Sequence, residues 1–346
     1  MARMGENMYK FQIITEPPNG ELLARWNDLL QDALFASHYV TPDFFVDPFA
    51  GKGERFAVLA LLDERVDAVV TGIRSGKKIA SGMAVRPQTA FRHGIDRGSA
   101  ARALVDGMRA FAGPNVGLFT FHSWEPIEGL EDAGYSHLEA EDAGRVVMLD
   151  LSKGPDALFK EFSERRRTDL RKTMKLGLVQ VKRLETEAEL AELYEIHKDW
   201  NTRKGFAPDA FEAFQDILHS KHRAVFIALT EGKVIAGTFL RFCEGGLIEY
   251  AANNSLGDHQ KLRPNEILGW RAIEWACSAG FAKFSLGASH TFLSRFGGEL
   301  VSSHRYQFDR TFLKRHQTRE RAERMAVKAY QSLPENMRKR IKAVTA

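Results

Sequence analysis

Two side chains able to move protons stand next to each other in the second half of the chain. Glu249 and Tyr250 lie in the β-rich run "IEYAANNS". Successive side chains of a strand point to opposite faces, so the carboxylate and the phenol are predicted to serve different surfaces. Tyr250 could hydrogen-bond a leaving group or a carbonyl, and Glu249 could act as a general base. The alternatives are a core tyrosine with a satisfied hydroxyl and an exposed strand carboxylate.

A polar cluster surrounds the start of the helix predicted after this strand. Helix N-termini attract anions, and an arginine there adds a two-pronged donor. This pattern could bind a phosphate group of either substrate in a group-transfer reaction, the one that gives the group or the one that accepts it. The alternative is capping by Asn265 with solvated charges nearby. The residues of this cluster are Asn253, Asn254, Arg263, Asn265 and Glu266.

Arg166 interrupts an apolar stripe formed by Phe162, Leu170 and Met174 at spacings of four residues. Such side chains share one helix face, and a guanidinium in that position is expected to be paired or to meet an anion. The alternative is a solvated basic helix. Two further arginines of the same segment, Arg167 and Arg171, are candidate substrate contacts.

Other candidates stand at predicted helix ends and loops. Trp200 could form a cleft wall, with Arg203 holding an acidic or phosphorylated acceptor; the alternative is a core tryptophan and a C-terminal arginine favoured by the helix dipole. His290 follows a predicted strand and could accept the amine proton, or it is an ordinary surface histidine. A basic loop in the first half is the weakest candidate for holding an acceptor, and it contains Arg86, Arg92 and His93.

An internal repeat organises the chain around these residues. Three β-rich runs separated by charged turns begin at Phe56, and a similar triplet begins at Ala224. Each triplet is preceded by helical periodicity and followed by a helix and another short apolar strand. The pattern predicts an α+β fold with two tandem domains whose mixed, mostly antiparallel sheets are flanked by helices.

The predicted boundaries are residues 1–143, 144–312 and 313–346. In the second domain the strand "GRVVMLDLS" is followed by one predicted helix that starts near Pro155 and ends at Gly177. The last segment, counted from Phe312, holds ten Lys and Arg residues against three acids. We expect a basic helical tail that packs on the second domain or meets tRNA, a nucleotide diphosphate or anionic lipid headgroups.

The composition excludes several classes of protein. The 346 residues are 44% hydrophobic and 27% charged, with a net charge of +4, which is typical of a globular chain rather than a disordered one. Two cysteines without a paired spacing predict neither a zinc site nor a disulfide framework. No apolar run is long enough to cross a bilayer, and we expect a cytoplasmic protein that binds no DNA.

The order of elements resembles the GNAT acyltransferase fold, and two such units in one chain resemble the FemAB-type transferases and their BioF2-like acetyltransferase relatives. Three segments carry the resemblance: "RRTDLRKTMKLG", "IEYAANNS" with "LRPNEILGWRAIEWACSAGF", and "FSLGASH" with "LSRFGGEL". The last turn contains Arg295, a candidate substrate contact, where the family often has a lysine. The resemblance covers roughly residues 10–312.

The resemblance implies transfer of an acyl or aminoacyl group to a substrate amine in the second domain, in cell-envelope precursor metabolism. The donor would be a co-substrate, acyl-CoA or aminoacyl-tRNA, with no tightly bound cofactor and no metal. The loop "GDHQKLRP" lacks the spaced glycines of a CoA pyrophosphate loop, and "RHGIDRGSA" has glycines at other spacings. Two alternatives remain, namely an acetyl-CoA-dependent N-acetyltransferase of a small amine or protein and a non-catalytic binding module.

Overall fold

The computed structural model describes residues 9–139, 144–288, 291–334 and 337. These residues form two β-sheets with helices packed against them, which confirms the predicted α+β class. The first sheet begins with β1 (Lys10–Ile14), β2 (Glu54–Leu62), β3 (Arg65–Ser75), β4 (Lys78–Ser81), β5 (Thr89–Phe91), β6 (Leu118–Ser123) and β7 (Ser136–Glu139). The second contains β8 (Val146–Asp150), β9 (Gln180–Arg183), β10 (Arg223–Thr230), β11 (Lys233–Phe242), β12 (Leu247–Ser255), β13 (Lys283–Ala288) and β14 (Glu299–Val301).

The last strand, β15 (His304–Asp309), returns to the first sheet and pairs with both β6 and β7. The spatial orders are β1-β2-β3-β4-β6-β15-β7, with β5 beside β3, and β14-β8-β13-β12-β11-β10-β9. The predicted division at residue 143/144 stays a prediction. One strand of the predicted second domain nevertheless lies in the first sheet.

Eight α-helices accompany these strands within the described residues. They are α1 (Gly20–Gln31), α2 (Arg97–Ala112), α3 (Pro155–Glu161), α4 (Glu164–Leu176), α5 (Glu187–Lys204), α6 (Phe211–His219), α7 (Pro264–Ser278) and α8 (Arg315–Ser332).

The predicted repeat is visible in the topology. Both triplets are antiparallel, β2-β3-β4 in one half and β10-β11-β12 in the other. Their first hairpins turn through residues with positive φ, Asp63 and Glu64 in one and Glu231 and Gly232 in the other. Each triplet then continues through a helix, α2 or α7, to a strand that pairs in parallel with the third strand. The two halves therefore share one arrangement.

Two predictions about helices are wrong in detail. The helix predicted from Pro155 to Gly177 is broken at Phe162, whose extended backbone ends α3, and the Ser163 side chain accepts a hydrogen bond from the Arg166 N–H at the start of α4. The basic helix α8 packs on the first sheet rather than on the second domain. Arg305 of β15 pairs there with Glu320, and Asp309 accepts from the backbone N–H of Gln317.

The second sheet has a hydrophobic layer on each face, since alternate residues of its strands join different clusters. Phe226, Leu240 and Ile248 pack with α3, α4 and α7. Val225, Ile227 and Phe239 pack with α5 and α6 on the opposite face. We call these the α7 face and the α5 face. The description of the site depends on which face each polar side chain occupies.

Candidate functional site

The two parallel strands at the centre of the second sheet part from each other. β12 and β13 pair only through Leu247/Lys283, Ile248/Phe284 and Glu249/Ser285. In the described part of the chain no ladder pair joins them farther on, although β12 continues to Ser255. A Cβ placed on Gly287 of β13 would meet only the carbonyl oxygen of Tyr250, at 3.9 Å. The ladder between the two strands therefore ends one residue before Tyr250, and we call the unpaired stretch beyond it, beside Tyr250 and Gly287, the wedge.

A β-bulge directs this parting. β11 and β12 pair at Phe239/Ala252 and at Leu240/Tyr250, which leaves Ala251 as the extra residue on β12. A bulge of this kind bends its strand and increases the local twist. In the first sheet all four residues of β4 pair with β6, so β4 has no unpaired stretch like the end of β12. Among the described residues, the wedge is thus a feature of the second half alone.

Polar atoms without hydrogen-bond partners collect around Tyr250 on the α7 face. The Tyr250 and Thr238 hydroxyls are both buried and lie close enough to interact with each other, but neither forms a hydrogen bond of good geometry with a described residue. Burial raises the pKa of Tyr250 to about 12, so the phenol is protonated at neutral pH and can donate. The Oδ1 of Asn265, at the start of α7, is also buried without a hydrogen-bond partner among the described residues. Buried polar groups that are left unpaired are costly, and here they mark a place where a polar ligand would satisfy them.

Arg166 lies beside this group and is 2% exposed. Its Nη2 donates to the Phe292 carbonyl at 2.8 Å, and its Nη1 is 3.5 Å from Glu266 Oε1. The guanidinium also lies over the rings of Phe292 and Phe296, at 4.4 and 4.3 Å from their centroids. Burial lowers its pKa to about 10, and its Nε and Nη1 remain without hydrogen bonds. Arg166 is thus paired with Glu266, as expected, and its Nε and Nη1 can still donate hydrogen bonds to a ligand.

The start of α7 offers few free donors for a phosphate. Arg263 has a left-handed backbone, with φ 56°, and its N–H donates to Gln260. Its guanidinium forms an ion pair with Asp169. The next residue, Pro264, has no N–H at all, and Asn265 uses its Nδ2 on Ser255 Oγ at 3.3 Å. Asn253 is partly buried nearby. A cradle of successive backbone N–H groups is therefore not formed at this helix end.

The α5 face of β12 contains a cavity of about 250 Å³. Its walls combine aromatic side chains with amides and two arginines: Phe49, Trp200, Asn201, Phe214, Phe239, Arg223, Arg241 and Asn254. Ala251 and Ala252, at the bulge, form the wall nearest to the wedge. Phe49 comes from the first half of the chain, so the cavity lies where the two halves meet.

His197 also lines this cavity, but its ring is occupied by structural contacts. Nε2 accepts from the Asp209 backbone N–H at 3.2 Å, which leaves the proton on Nδ1, 3.1 Å from Asn254 Oδ1. Burial lowers the pKa of His197 below its ordinary value. The side chain therefore orients Asn254 rather than accepting a proton from a substrate.

Glu249 is buried, 3% exposed, which excludes the exposed-carboxylate alternative. Its Oε2 accepts from Arg241 Nε at 3.0 Å, and Arg241 Nη1 also donates to the Tyr39 hydroxyl at 3.2 Å. Glu249 thus points away from Tyr250, as the alternation predicts, and toward the first half of the chain. Because Glu249 is buried on the face opposite Tyr250 and is bound by Arg241, it is not placed to act as a general base in the wedge.

A second buried ion pair lies beside the first. Asp47 accepts from Arg223 Nη2 at 2.5 Å and is 2.5 Å from His38 Nε2. His38 is fully buried, and burial lowers its pKa, so the ring is neutral and donates to the carboxylate. The Asp47–Arg223 pair, the hydrogen bond from Arg241 to Tyr39 and a hydrogen bond of 2.8 Å from the Leu247 N–H to the Ala36 carbonyl join the two halves. We call this contact region the seam.

Several predicted site residues do other work. Arg167 donates to the carbonyls of Lys160 and Phe162 and closes the break between α3 and α4. Arg203 pairs with Asp199 at 2.9 Å and caps the Ser255 carbonyl at 2.8 Å. Arg171 is exposed and lies over Phe159, while Arg295 is partly exposed and close enough to Arg166 to repel it. His290 lies outside the described residues.

In the basic loop of the first half, Arg92 forms ion pairs with Asp28, Asp32 and Asp67. Sequence analysis missed Arg223, Arg241, Asp47 and Tyr39. Arg223 begins the mostly apolar strand β10 and Arg241 lies near the end of the mostly apolar β11, and those positions could have singled them out.

Residues 160–306 match the family model described as an acetyltransferase (GNAT) domain. FemX is similar in fold, with a TM-score of 0.69 and 12% identity over 86% of this chain and 97% of that one. L-PGS from Bacillus licheniformis has a TM-score of 0.57, with 13% identity over 90% and 98%. The C-terminal domain of a putative lysylphosphatidylglycerol synthetase from Agrobacterium fabrum has a TM-score of 0.54 and 13% sequence identity, over 84% of this chain and 92% of that one.

Among curated protein sequences nothing matches. No helix of the described residues is both long and apolar enough to cross a membrane. The repeated topology, the GNAT match in the second half and the fold similarity agree with one another. The second half of the chain therefore matches a GNAT domain, and the chain as a whole has a fold of two tandem GNAT-like units that resembles the fold of FemX.

Proposed function

We propose that the second half of the chain transfers an acyl or aminoacyl group from an activated donor to a substrate amine. The observation that carries this proposal is the wedge between β12 and β13, which has no counterpart between β4 and β6. The donor's reactive carbonyl would lie in the wedge beside Tyr250. The amine would approach from the cavity on the α5 face, because the parted strands open the sheet between the two.

The chemistry needs little from the protein beyond positioning and hydrogen bonds. The amine nitrogen forms a bond to the carbonyl carbon, and the ester C–O or thioester C–S bond of the donor breaks. The proton lost by the amine passes to the leaving group or to water. Tyr250, protonated at neutral pH, would donate to the oxygen or sulfur on which negative charge develops. Arg166 would add positive potential to the same place.

An aminoacyl ester at the end of a tRNA is the donor that the α7 start favours. Pro264 lacks an N–H, the Arg263 N–H is used internally, and the Arg263 charge is neutralised by Asp169. A CoA pyrophosphate would find few donors there. Acetyl-CoA remains the second candidate, because residues 160–306 match the acetyltransferase model.

The same proposal covers where the enzyme acts and what it contacts. An aminoacyl-tRNA donor implies a cytoplasmic location and an acceptor among cell-envelope precursors, as the resemblance to FemAB-type transferases suggests. The helix α8 carries exposed basic side chains and could contact tRNA or an anionic membrane surface. A non-catalytic binding module is the remaining alternative.

Isothermal titration with two donor analogues tests the proposal. One is a non-hydrolysable aminoacyl-adenosine amide, which represents the tRNA terminus, and the other is acetyl-CoA. We expect micromolar binding of the adenosine amide, and transfer of the radiolabelled aminoacyl group from tRNA to a lysine-containing peptide or an amino sugar, with release of the free tRNA. Tight binding of acetyl-CoA alone would replace the tRNA donor by CoA. If neither analogue binds, the transferase proposal fails.

A further inference from the structure

Arg86 reaches the seam from the first half of the chain and has no hydrogen-bond acceptor among the described residues. The nearest carboxylate oxygen, Glu249 Oε1, is 3.8 Å from its Nε, which exceeds hydrogen-bond distance. Its guanidinium lies over the Tyr39 ring at 5.8 Å. The side chain is 28% exposed, so it faces the seam with its donors open to solvent.

The charges of the seam do not balance. Arg86, Arg223 and Arg241 contribute three guanidinium groups, and Asp47 and Glu249 contribute two carboxylates. Asp47 is committed to Arg223 and His38, and one oxygen of Glu249 is committed to Arg241. Burial and repulsion from Arg241 lower the pKa of Arg86. Arg86 therefore keeps only a long ion pair with Glu249, at 3.8 Å, and its donors are available to a bound anion.

The backbone that carries Arg86 is fixed by several contacts. It closes a tight turn in which Met83 and Arg86 exchange two backbone hydrogen bonds of 3.0 and 2.8 Å. Gly82 allows the turn, because its φ is 66° and a Cβ there would lie 2.5 Å from the Arg86 carbonyl oxygen. The buried Ser303 hydroxyl fixes the same turn by donating to the Ala84 carbonyl at 2.6 Å. A surface arginine with no role would not need such support.

We propose that Arg86, with Arg241 beside it, binds an oxyanion group, a phosphate or a carboxylate, carried by the acceptor. Assignment of this anion to the acceptor rests on the proposed transferase function, whereas anion binding itself does not. Arg241 lines the cavity on the α5 face and contacts Glu249, which Arg86 approaches from the other side. An acceptor could thus place its amine in the cavity while its anionic group binds Arg86. The acceptor class is an amine that also carries a negative charge.

The test compares Arg86→Ala with Arg74→Ala in the full chain. Arg74 is similarly exposed, at 34%, but is paired with Glu54. Titrations use inorganic pyrophosphate and, separately, succinate, at constant ionic strength. We expect the Kd of at least one anion to rise tenfold or more in Arg86→Ala and to stay unchanged in Arg74→Ala. The anion that is affected distinguishes phosphate from carboxylate recognition.

The Tm without added anion gives an independent readout. Removing an unpaired, repelled guanidinium should leave Tm unchanged or raise it, whereas removing a structural ion pair with Glu249 would lower it. A Tm lowered by several degrees together with unchanged anion affinity would overturn the proposal. Arg86→Ala should bind the aminoacyl-adenosine amide like wild type. If the wild-type protein binds neither that analogue nor acetyl-CoA, the transferase function fails while the anion result still stands.

Discussion

Replacing Tyr250 with phenylalanine is expected to lower kcat for acyl transfer by roughly 10²- to 10³-fold, the usual effect of losing one donor to developing negative charge. The free energy of unfolding should stay the same or increase slightly, because the Tyr250 hydroxyl has no hydrogen-bond partner of good geometry among the described residues. Single-turnover kinetics with the donor that binds, together with urea unfolding, measure both quantities. This combination is unusual, since most buried tyrosines lose stability on truncation.

Tyr306→Phe is the matched control. The Tyr306 hydroxyl is also buried, but it accepts from the Ile127 N–H at 2.6 Å and donates to the Ile127 carbonyl at 3.2 Å. Its removal should cost about 1–2 kcal/mol of unfolding free energy and leave kcat unchanged. If Tyr250→Phe instead lost stability and kept its kcat, Tyr250 would be an ordinary core residue.

Replacing Asp47 with alanine is expected to lower the free energy of unfolding by about 3–5 kcal/mol, as removal of one partner from a buried ion pair usually does. Asp47 is the only described carboxylate within hydrogen-bond distance of Arg223, which is 7% exposed, and of the buried His38. Without Asp47, three guanidinium groups would face Glu249 alone. Because the pair joins the two halves of the chain, urea unfolding should also become less cooperative.

Two further variants check this explanation. The double variant Asp47→Leu with Arg223→Met should recover most of the lost stability, because it removes both charges and leaves apolar groups of similar size. Asp106→Ala, at a half-exposed carboxylate that pairs with Arg109 within one helix, should unfold like wild type. A loss below about 1 kcal/mol for Asp47→Ala would show that the seam tolerates an unpaired Arg223.

The fold was largely predictable because each triplet combines alternating apolar residues with polar turns, and both occur twice. The break between α3 and α4 at Phe162 could not be predicted. Helical spacing continues through Phe162, Arg166 and Leu170, although Ser163 caps a new helix. The return of β15 to the first sheet could not be predicted either. The alternation in "HRYQFD" predicts a strand, but it does not identify the neighbour with which that strand pairs.

The site was predictable in part for a related reason. Sequence periodicity places Tyr250 and Glu249 on opposite faces, and the structure agrees. Periodicity cannot show that Arg241 neutralises Glu249, or that Arg203 and Arg167 donate to backbone carbonyls. These contacts depend on how the side chains are placed in the folded chain. The wedge lies next to a β-bulge at Ala251, which looks like any other alanine in a strand.

A crystal structure with the aminoacyl-adenosine amide tests the central claim most directly. The account predicts that the analogue enters between β12 and β13, with its leaving-group atom within about 3.2 Å of the Tyr250 hydroxyl. Density for the analogue on the first sheet, or a wedge that stays closed around Tyr250 and Gly287 while the analogue binds elsewhere, would contradict it.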